Sequence, residues 1–331
     1  MPAVMPAVMQ AAVATAWGDP DVLRLAEVPR PAPMPGEVLV RVEAAGVNPT
    51  DWKSRATGGR GYWGDPAILG FDVAGVVEEV ADGSHVHAPG DRVFGMPRFP
   101  LPAEAYAQYV AAPARQLARM PDDLGFTEAA SLPLAGLTAL QALEDAGRLR
   151  PGQSVLVCAA GGGVGRLAVQ IAIALGAVVT ACARPDRLAE AAAAGAAVVE
   201  AASDGTPARA SRHDVVIDPF GGERTAALLD WCVPGGTLVS LIPRTSAAIE
   251  QAGRARGVAL RRVVVEPSEI GMERLAQWAE DGHVRPRVAL ELPLARAADA
   301  HRAGERGGLD GKIVLQPWQR GQGTTADEVD P

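Results

Sequence analysis

One segment limits the choice of folds more than any other: residues 154–177 read SVLVCAAGGGVGRLAVQIAIALGA. A short run of apolar residues ends in a cluster of glycines, and the glycines run directly into an apolar periodic stretch. The first part reads as a buried strand. The last reads as a helix over Val164–Leu175, with Val164, Leu167, Ala168, Ile171 and Leu175 at i, i+3, i+4, i+7 and i+11 on one face. A strand that turns through glycines into a helix leaves free backbone N–H groups and the positive end of the helix dipole at the turn, a cradle for a diphosphate. Gly162 and Gly165 are assigned the tight turn and the close helix–strand approach, and Gly161 and Gly163 the extra room. Ala160–Gly165 as a whole (Ala160, Gly161, Gly162, Gly163, Val164 and Gly165) is assigned to cofactor binding. A glycine-rich structural loop is the competing reading, but the surrounding strand–helix units argue against it.

The next strand, AVVTAC, should end at the residue that reads the adenosine ribose. Dinucleotide sites for NAD usually place an acid there. Here the chain continues Ala183-Arg184-Pro185-Asp186-Arg187, with no acid at the strand tip. Arg184 and Arg187 suit a 2′-phosphate, which a carboxylate would repel, so NADPH is the expected cofactor. Two solvated charges at a helix start remain the simpler alternative.

The same alternation continues along the chain: helix Asp186–Ala194, strand AVVE, strand DVVID, helix Glu223–Cys232, a turn at Pro234–Gly236, strand TLVSLI, and a last strand across ALRRVVV. Uninterrupted apolar strands between helices predict a parallel sheet covered on both faces. Residues 127–147 read as helix. The first third is different, with short alternating runs such as Glu37–Glu43 punctuated by Pro-Gly and Asp-Gly, and reads as a compact β-rich unit. Residues 288–316 return to strand, helix (Leu294–Arg306) and strand. The expected fold is therefore α/β: a Rossmann-type doubly wound sheet over 123–287, and a β-rich domain over 9–122 joined by 288–318. Residues 1–8 and 319–331 are expected to be disordered.

With 331 residues and 48% hydrophobic content the chain has ample core, and no run of about 18 apolar residues suggests a membrane span. A net charge of -8 disfavours nucleic acid and anionic membranes as partners. Cys158, Cys182 and Cys232 lie far apart with no CxxC spacing, so neither a disulfide scaffold nor a cysteine zinc site is written. The N-terminus lacks the pattern of a signal peptide, which predicts a cytoplasmic location. His85 and His87 form an HxH read as a surface turn. His301 is read as structural, and His213 and His283 fall at element edges.

On PGEVLVRVEAAGVNPTDWK, ILGFDVAGVV, PGDRVFG, SLPLAGLTAL, AAGGGVGRLAVQIA, the Gly221-Gly222 pair after DVVIDPF, and GKIVL, the chain resembles the zinc-independent medium-chain dehydrogenases/reductases of the quinone oxidoreductase (zeta-crystallin-like) group. The resemblance covers nearly the whole chain, from about residue 9 to 315. It implies a GroES-like catalytic domain hinged to the nucleotide domain. Where zinc-dependent members carry a cysteine this chain has Asn48, and in place of Gly-His-Glu it has Gly70-Phe71-Asp72. Lacking thiolate and imidazole, these positions predict chemistry without zinc. The resemblance also implies that Asn48 faces the nicotinamide, that Thr138 contacts its ribose or ring, and that Gly221 with Gly222, and Ser240 with Leu241, line the cofactor. Lys312 is placed near cofactor or substrate, or alternatively is an exposed charge on a strand edge.

Without zinc, the expected reaction is hydride transfer to a small molecule that is already electrophilic, a quinone or an α,β-unsaturated carbonyl. Tyr62 is the candidate proton donor or positioning group; with Trp63 it alternatively forms a hydrophobic lid. Asp51 and Asp72 are read as structural hydrogen-bonding groups. Two other functions share the fold: a non-redox cyclase or isomerase, for which Trp52 and Pro219-Phe220 would reshape the pocket, and a nucleotide-binding structural or regulatory protein. A homodimer is expected through edge pairing of the strand Arg261–Val265.

Overall fold

The structure is a computed structural model that describes residues 8–59, 62–202, 212–242 and 245–319. The disorder expected at 1–8 and 319–331 falls almost wholly outside these residues. Val8 is an exception, since it opens the first strand.

The β-rich unit begins with β1 (Val8–Ala14), β2 (Leu23–Pro29) and β3 (Glu37–Val47), followed by a helix α1 (Pro49–Thr57) that the sequence pattern did not announce. The short β4 (Ala67–Ile68) and then β5 (Asp72–Val80), β6 (Arg92–Gly95), β7 (Tyr109–Pro113) and β8 (Leu117–Arg119) complete its first half. The stretch read as one helix over 127–147 is broken by Pro133. It becomes α2 (Phe126–Ala130) and α3 (Pro133–Gln141), the latter running into a π-turn over Ala142–Ala146. Proline at the first position of α3 has no N–H for the preceding turn to accept, so the chain restarts there.

The nucleotide unit follows as β9 (Ser154–Cys158), α4 (Gly163–Ala174), β10 (Val178–Ala183), α5 (Leu188–Ala193), β11 (Val198–Ala201), β12 (His213–Asp218), α6 (Glu223–Leu228), β13 (Cys232–Ser240), α7 (Ala247–Ala255), β14 (Ala259–Arg262) and α8 (Glu269–Glu280). Its strands lie in the order β11-β10-β9-β12-β13-β14, all parallel. The order reverses between β9 and β12, and ligands bind such sheets beyond the strand ends at that switch point. Strands β9 and β12 are buried along nearly their whole length, as a sheet covered on both faces requires.

Three boundaries differ from expectation. Helix α6 stops at Leu228, and a 3-10 turn leads to Cys232, which already belongs to β13. Pro234–Gly236 is not a turn between elements but lies inside β13, where the register with β12 shifts. Strand β14 ends at Arg262, so Val263–Val265 leave the sheet.

The chain closes with β15 (Val288–Pro293), α9 (Ala297–Arg306) and β16 (Lys312–Gln316). Strand β16 pairs antiparallel with β3, so the C-terminal segment completes the first sheet in the order β15-β16-β3-β5-β6-β8. This return brings Lys312, from the end of the chain, beside Asn48 at the end of β3. No helix among the described residues is long and apolar enough to cross a membrane.

Candidate active site

At the β9–α4 turn, a Cβ on Gly165 would stand 2.2 Å from the Ala159 carbonyl oxygen, so only glycine lets the helix approach the strand this closely. None of Gly161, Gly162, Gly163 and Gly165 adopts a left-handed conformation. The left-handed residue of the turn is Ala159, with φ 51. The glycines are therefore needed for space, while an alanine makes the turn. Gly162 is the N-cap of α4, and Arg166 is the first to donate back to it (2.9 Å). The N–H groups of Gly163, Val164 and Gly165 thus have no intrahelical acceptor. Ala160 is fully buried, and its N–H is taken by the Cys182 carbonyl (2.9 Å).

Two cavities flank this turn. A cavity of about 450 Å³ is lined by Gly161, Gly162, Cys182–Arg184, Arg187, Phe220 and Arg224, with Gly308 and Leu309 reaching over from the β-rich unit. Arg184 pairs with Asp186 (2.8 Å), and Arg187 with Glu190 (3.2 Å). On the other side, a cleft of about 420 Å³ lies between the two units. Its wall is largely apolar: Trp63, Phe71, Phe99, Leu134, Val164, Pro219, Leu241, Ile242 and Val263–Val265. Thr138 lines it too, its hydroxyl donating to the Leu134 carbonyl (2.6 Å). Lys53 and Tyr62 stand at the rim, and Tyr62 is 60% exposed.

Residues sought as one site are thus divided. Val164, Thr138, Leu241 and Tyr62 share the apolar cleft; Arg184 and Arg187 lie in the other cavity. Gly221 is the half-buried residue after Phe220, in the left-handed region with φ 77. Ser240 is fully buried, lines neither cavity, and exchanges hydrogen bonds with the backbone of Ile242. Trp52 does not reach the cleft. Its ring packs beneath α9, where a Cβ on Gly304 would meet it at 2.6 Å, and it stands edge-on to His301. The pocket remodelling attributed to Trp52 is therefore absent; Pro219 does line the cleft, whereas Phe220 faces the other cavity.

Beneath the cleft lies a buried polar chain that sequence reading recovered only in pieces. The Asn48 amide donates to Asp72 Oδ2 (2.8 Å), and its oxygen accepts from the Lys312 ammonium. Lys312 Nζ is 3.8 Å from Asp72 Oδ2. Asp72 Oδ1 accepts from the N–H of Leu134 in α3 (2.8 Å), tying the β-rich unit to the nucleotide unit. Asp51 caps α1 by accepting from the Asn48 N–H (2.7 Å), and it also accepts from the Tyr106 hydroxyl (3.0 Å). Tyr106 has one proton and gives it to Asp51. His301 Nε2, 3.2 Å from the phenol oxygen, must then carry its own proton toward it. Lys312 is therefore a buried cation and not an exposed strand-edge charge. Its stem lies against the turn: a Cβ on Gly163 would be 3.3 Å from Lys312 Cδ.

Burial dominates the electrostatics of this chain. It raises the Asp51 carboxyl to about 7 and Asp72 to about 6; for Asp72 the Lys312 charge and the Asn48 hydrogen bond oppose the rise. Lys312 is pulled down by burial and partly restored by Asp72 and Asp51. Burial, with Arg55 nearby, lowers His301 to about 3 and keeps it neutral at physiological pH. Asp51 and Asp72 are thus hydrogen-bonded within the chain, Asp51 to Asn48 and Tyr106, Asp72 to Asn48 and Leu134. Asn48 has both ends of its amide engaged and is 1% exposed. His87 is a departure: it is buried, with Nε2 3.1 Å from the Ala114 carbonyl, whereas His85 is exposed.

Residues 34–122 match the alcohol dehydrogenase GroES-like domain family, and residues 197–315 match the family described as zinc-binding dehydrogenase. The solved quinone oxidoreductase of Coxiella burnetii has the same fold: TM-score 0.85 at 30% identity, over 93% of this chain and 99% of that one. The chain belongs to the medium-chain dehydrogenase/reductase family. It has the GroES-like unit and the Rossmann unit of that family. The 2-methylene-furan-3-one reductase of Solanum lycopersicum is 31% identical over 328 residues, 95% of this chain and 80% of that protein. The pikromycin polyketide synthase component PikAII of Streptomyces venezuelae is 33% identical over 308 residues. That match takes in 88% of this chain but 8% of the synthase, so the chain spans a small part of the length of such relatives. By the resemblance, Asn48 stands where zinc-dependent members carry a cysteine, and Gly70-Phe71-Asp72 where they carry Gly-His-Glu. Among the described residues, no group of three or more His, Cys, Asp or Glu is arranged to hold a metal ion.

Proposed function

We propose that this chain is an oxidoreductase that uses NADPH to reduce a quinone or an α,β-unsaturated carbonyl compound. The observation that carries the proposal is that the apolar cleft reaches the glycine-rich turn through Val164, a residue of both. An acceptor in the cleft therefore lies against whatever the turn holds. The turn fits a dinucleotide: its glycines leave space, the N–H groups of Gly163, Val164 and Gly165 have no intrahelical acceptor, and the neighbouring cavity has arginines and no acid on its wall. When bound, NADPH supplies a hydride. Conjugation already polarises a quinone or enone, so the protein's task is to orient the acceptor and exclude water.

Each part of the chain has a task in this reading. The rings of Phe71 and Phe99, 4.9 Å apart, and Trp63 beside them offer flat apolar surface for a conjugated acceptor. Thr138, Val164 and Leu241 form the floor against the nicotinamide end, and Gly221 and Ser240 shape the backbone beside it. Asn48 and Lys312, linked through Asp72, hold the two units in register under the cofactor. Tyr62, exposed at the rim, positions the acceptor, and solvent supplies the proton. The names of the tomato and Coxiella relatives support the acceptor class. The exposed edge of β14 supports a homodimer, with Val264 (49% exposed) beside it.

The test is fluorescence titration with NADPH and NADH, followed by NADPH consumption against a panel of quinones and enones. Tight NADPH binding with turnover of one acceptor class is the expected result. Absence of binding by either nucleotide would end the proposal.

A further inference from the structure

Charge on the wall of the 450 Å³ cavity is unevenly committed. Three cations line it: Arg184, Arg187 and Arg224. Arg184 is paired with Asp186, and the two side chains are about equally exposed, 58% and 61%. Arg187 is held between Asp186 (4.0 Å) and Glu190 (3.2 Å), its side chain 13% exposed and its Cβ packed where a side chain on Gly161 would fall. Two arginines and two carboxylates leave this side of the cavity with no net charge. Arg224 differs: among the described residues it has no carboxylate within ion-pair distance, and its guanidinium lies 5.1 Å from the centre of the Phe220 ring. Phe220 is itself on the wall. Among the described residues, the uncompensated positive charge on the cavity wall therefore stands on α6, across from the end of β10.

We propose that Arg224 is the residue by which this chain distinguishes a 2′-phosphorylated adenosine from an unphosphorylated one. The proposal rests on the dinucleotide reading above and moves the recognition from Arg184 and Arg187, which follow the second strand, to Arg224. A dianionic phosphate gains little from a guanidinium whose hydrogen bonds and charge are already engaged by a carboxylate. It gains a full charge-assisted contact from one that is free. Stacking on Phe220 holds the Arg224 guanidinium at the wall without neutralising it, so the cation is positioned before the ligand arrives.

The probes are NADPH, NADH and the pair adenosine 2′,5′-bisphosphate and 5′-AMP, which isolate the adenosine end from the nicotinamide. Affinities are read by calorimetry or fluorescence for the wild type and for Arg224→Ala, Arg224→Lys and Arg184→Ala. Arg224 is exposed, and its folding is checked by circular dichroism. Arg224→Ala should weaken NADPH and the bisphosphate roughly 10- to 100-fold, the change expected for one charge-assisted hydrogen bond. NADH and 5′-AMP should change by less than about threefold, within the spread of a surface substitution. Arg224→Lys should recover part of the loss, and Arg184→Ala should cost less than Arg224→Ala. An equal loss for phosphorylated and unphosphorylated ligands would overturn the proposal by making Arg224 an adenine-stacking group. Unchanged preference in Arg224→Ala would also overturn it. A wild-type chain that binds no dinucleotide would refute the underlying reading instead, and the wild-type titration identifies that case before any variant is made.

Discussion

Replacing Lys312 by methionine keeps the apolar stem of the side chain and removes its ammonium. That ammonium is 3.8 Å from the Asp72 carboxylate. At an effective dielectric of about 20, unit charges at this separation attract by about 4 kcal/mol. With the cation present, Asp72 titrates at about 6 despite complete burial. Because one pH unit corresponds to about 1.4 kcal/mol, losing the cation carries that titration across neutrality into the alkaline range. A carboxyl whose folded pKa lies above its unfolded value costs stability as pH rises from the unfolded value through the folded one, and no more beyond it. In the wild type the Asp72 cost is nearly complete by neutral pH. In Lys312→Met it keeps growing above neutrality. The lowered pKa of Lys312 acts in the same direction, since the wild type, unlike the variant, gains stability as pH rises from that lowered folded value toward the unfolded one. Between about pH 6.5 and pH 8.5 the variant should therefore lose roughly 2–3 kcal/mol more than the wild type, at about 1.4 kcal/mol per pH unit for one proton. Urea denaturation at the two pH values, with both midpoint and slope analysed, reads this difference. Parallel stability curves for variant and wild type would refute the assignment of Lys312 as the counter-charge of Asp72.

Other consequences are testable with single substitutions. Gly165→Ala would place a methyl group 2.2 Å from the Ala159 oxygen; it should cost about 3 kcal/mol or more and lower the denaturation midpoint accordingly. Tyr106→Phe removes one of the two donors to Asp51 Oδ2. The expected loss is about 1–3 kcal/mol. It should grow as pH rises through about 7, where Asp51 ionises, as denaturation at pH values either side of neutrality will report. Tyr62→Phe should raise KM more than it lowers kcat, with kcat falling by less than about tenfold, because general acid catalysis by a side chain is worth about 100-fold or more.

Local signals made the nucleotide unit legible. The β9–α4 turn, the parallel strands and the arginines after β10 are all written within a few residues of one another. Helices α1, α7 and α8 were not legible, and for α1 and α8 the reason is physical. Helix α1 is set by a proline start and by the reciprocal Asn48–Asp51 cap more than by an apolar stripe, while α8 is polar on average and buries Gly271, Met272, Leu275 and Ala276 against α3. The site was harder still. Lys312 reads as an ordinary strand-edge lysine until the chain returns and pairs β16 with β3, bringing it to Asn48, 264 residues away. Tyr106 gave no sign, because its role depends on Asp51 and His301 from distant elements. Trp52 follows Asn48 closely in the sequence, but α1 turns it away from the cleft and against Gly304.

The central claim is that a hydride passes from NADPH to a conjugated acceptor held in the apolar cleft. The most direct measurement uses NADPH deuterated at the transferable position, a panel of quinones and enones, and mass spectrometry of the products. The account predicts that one acceptor class is reduced and that its product carries the deuterium on carbon, or, for a quinone, that NADPH is consumed in equal amount to the hydroquinone formed. If the protein binds NADPH yet reduces no member of the panel, and no deuterium leaves the nucleotide, the claim is contradicted.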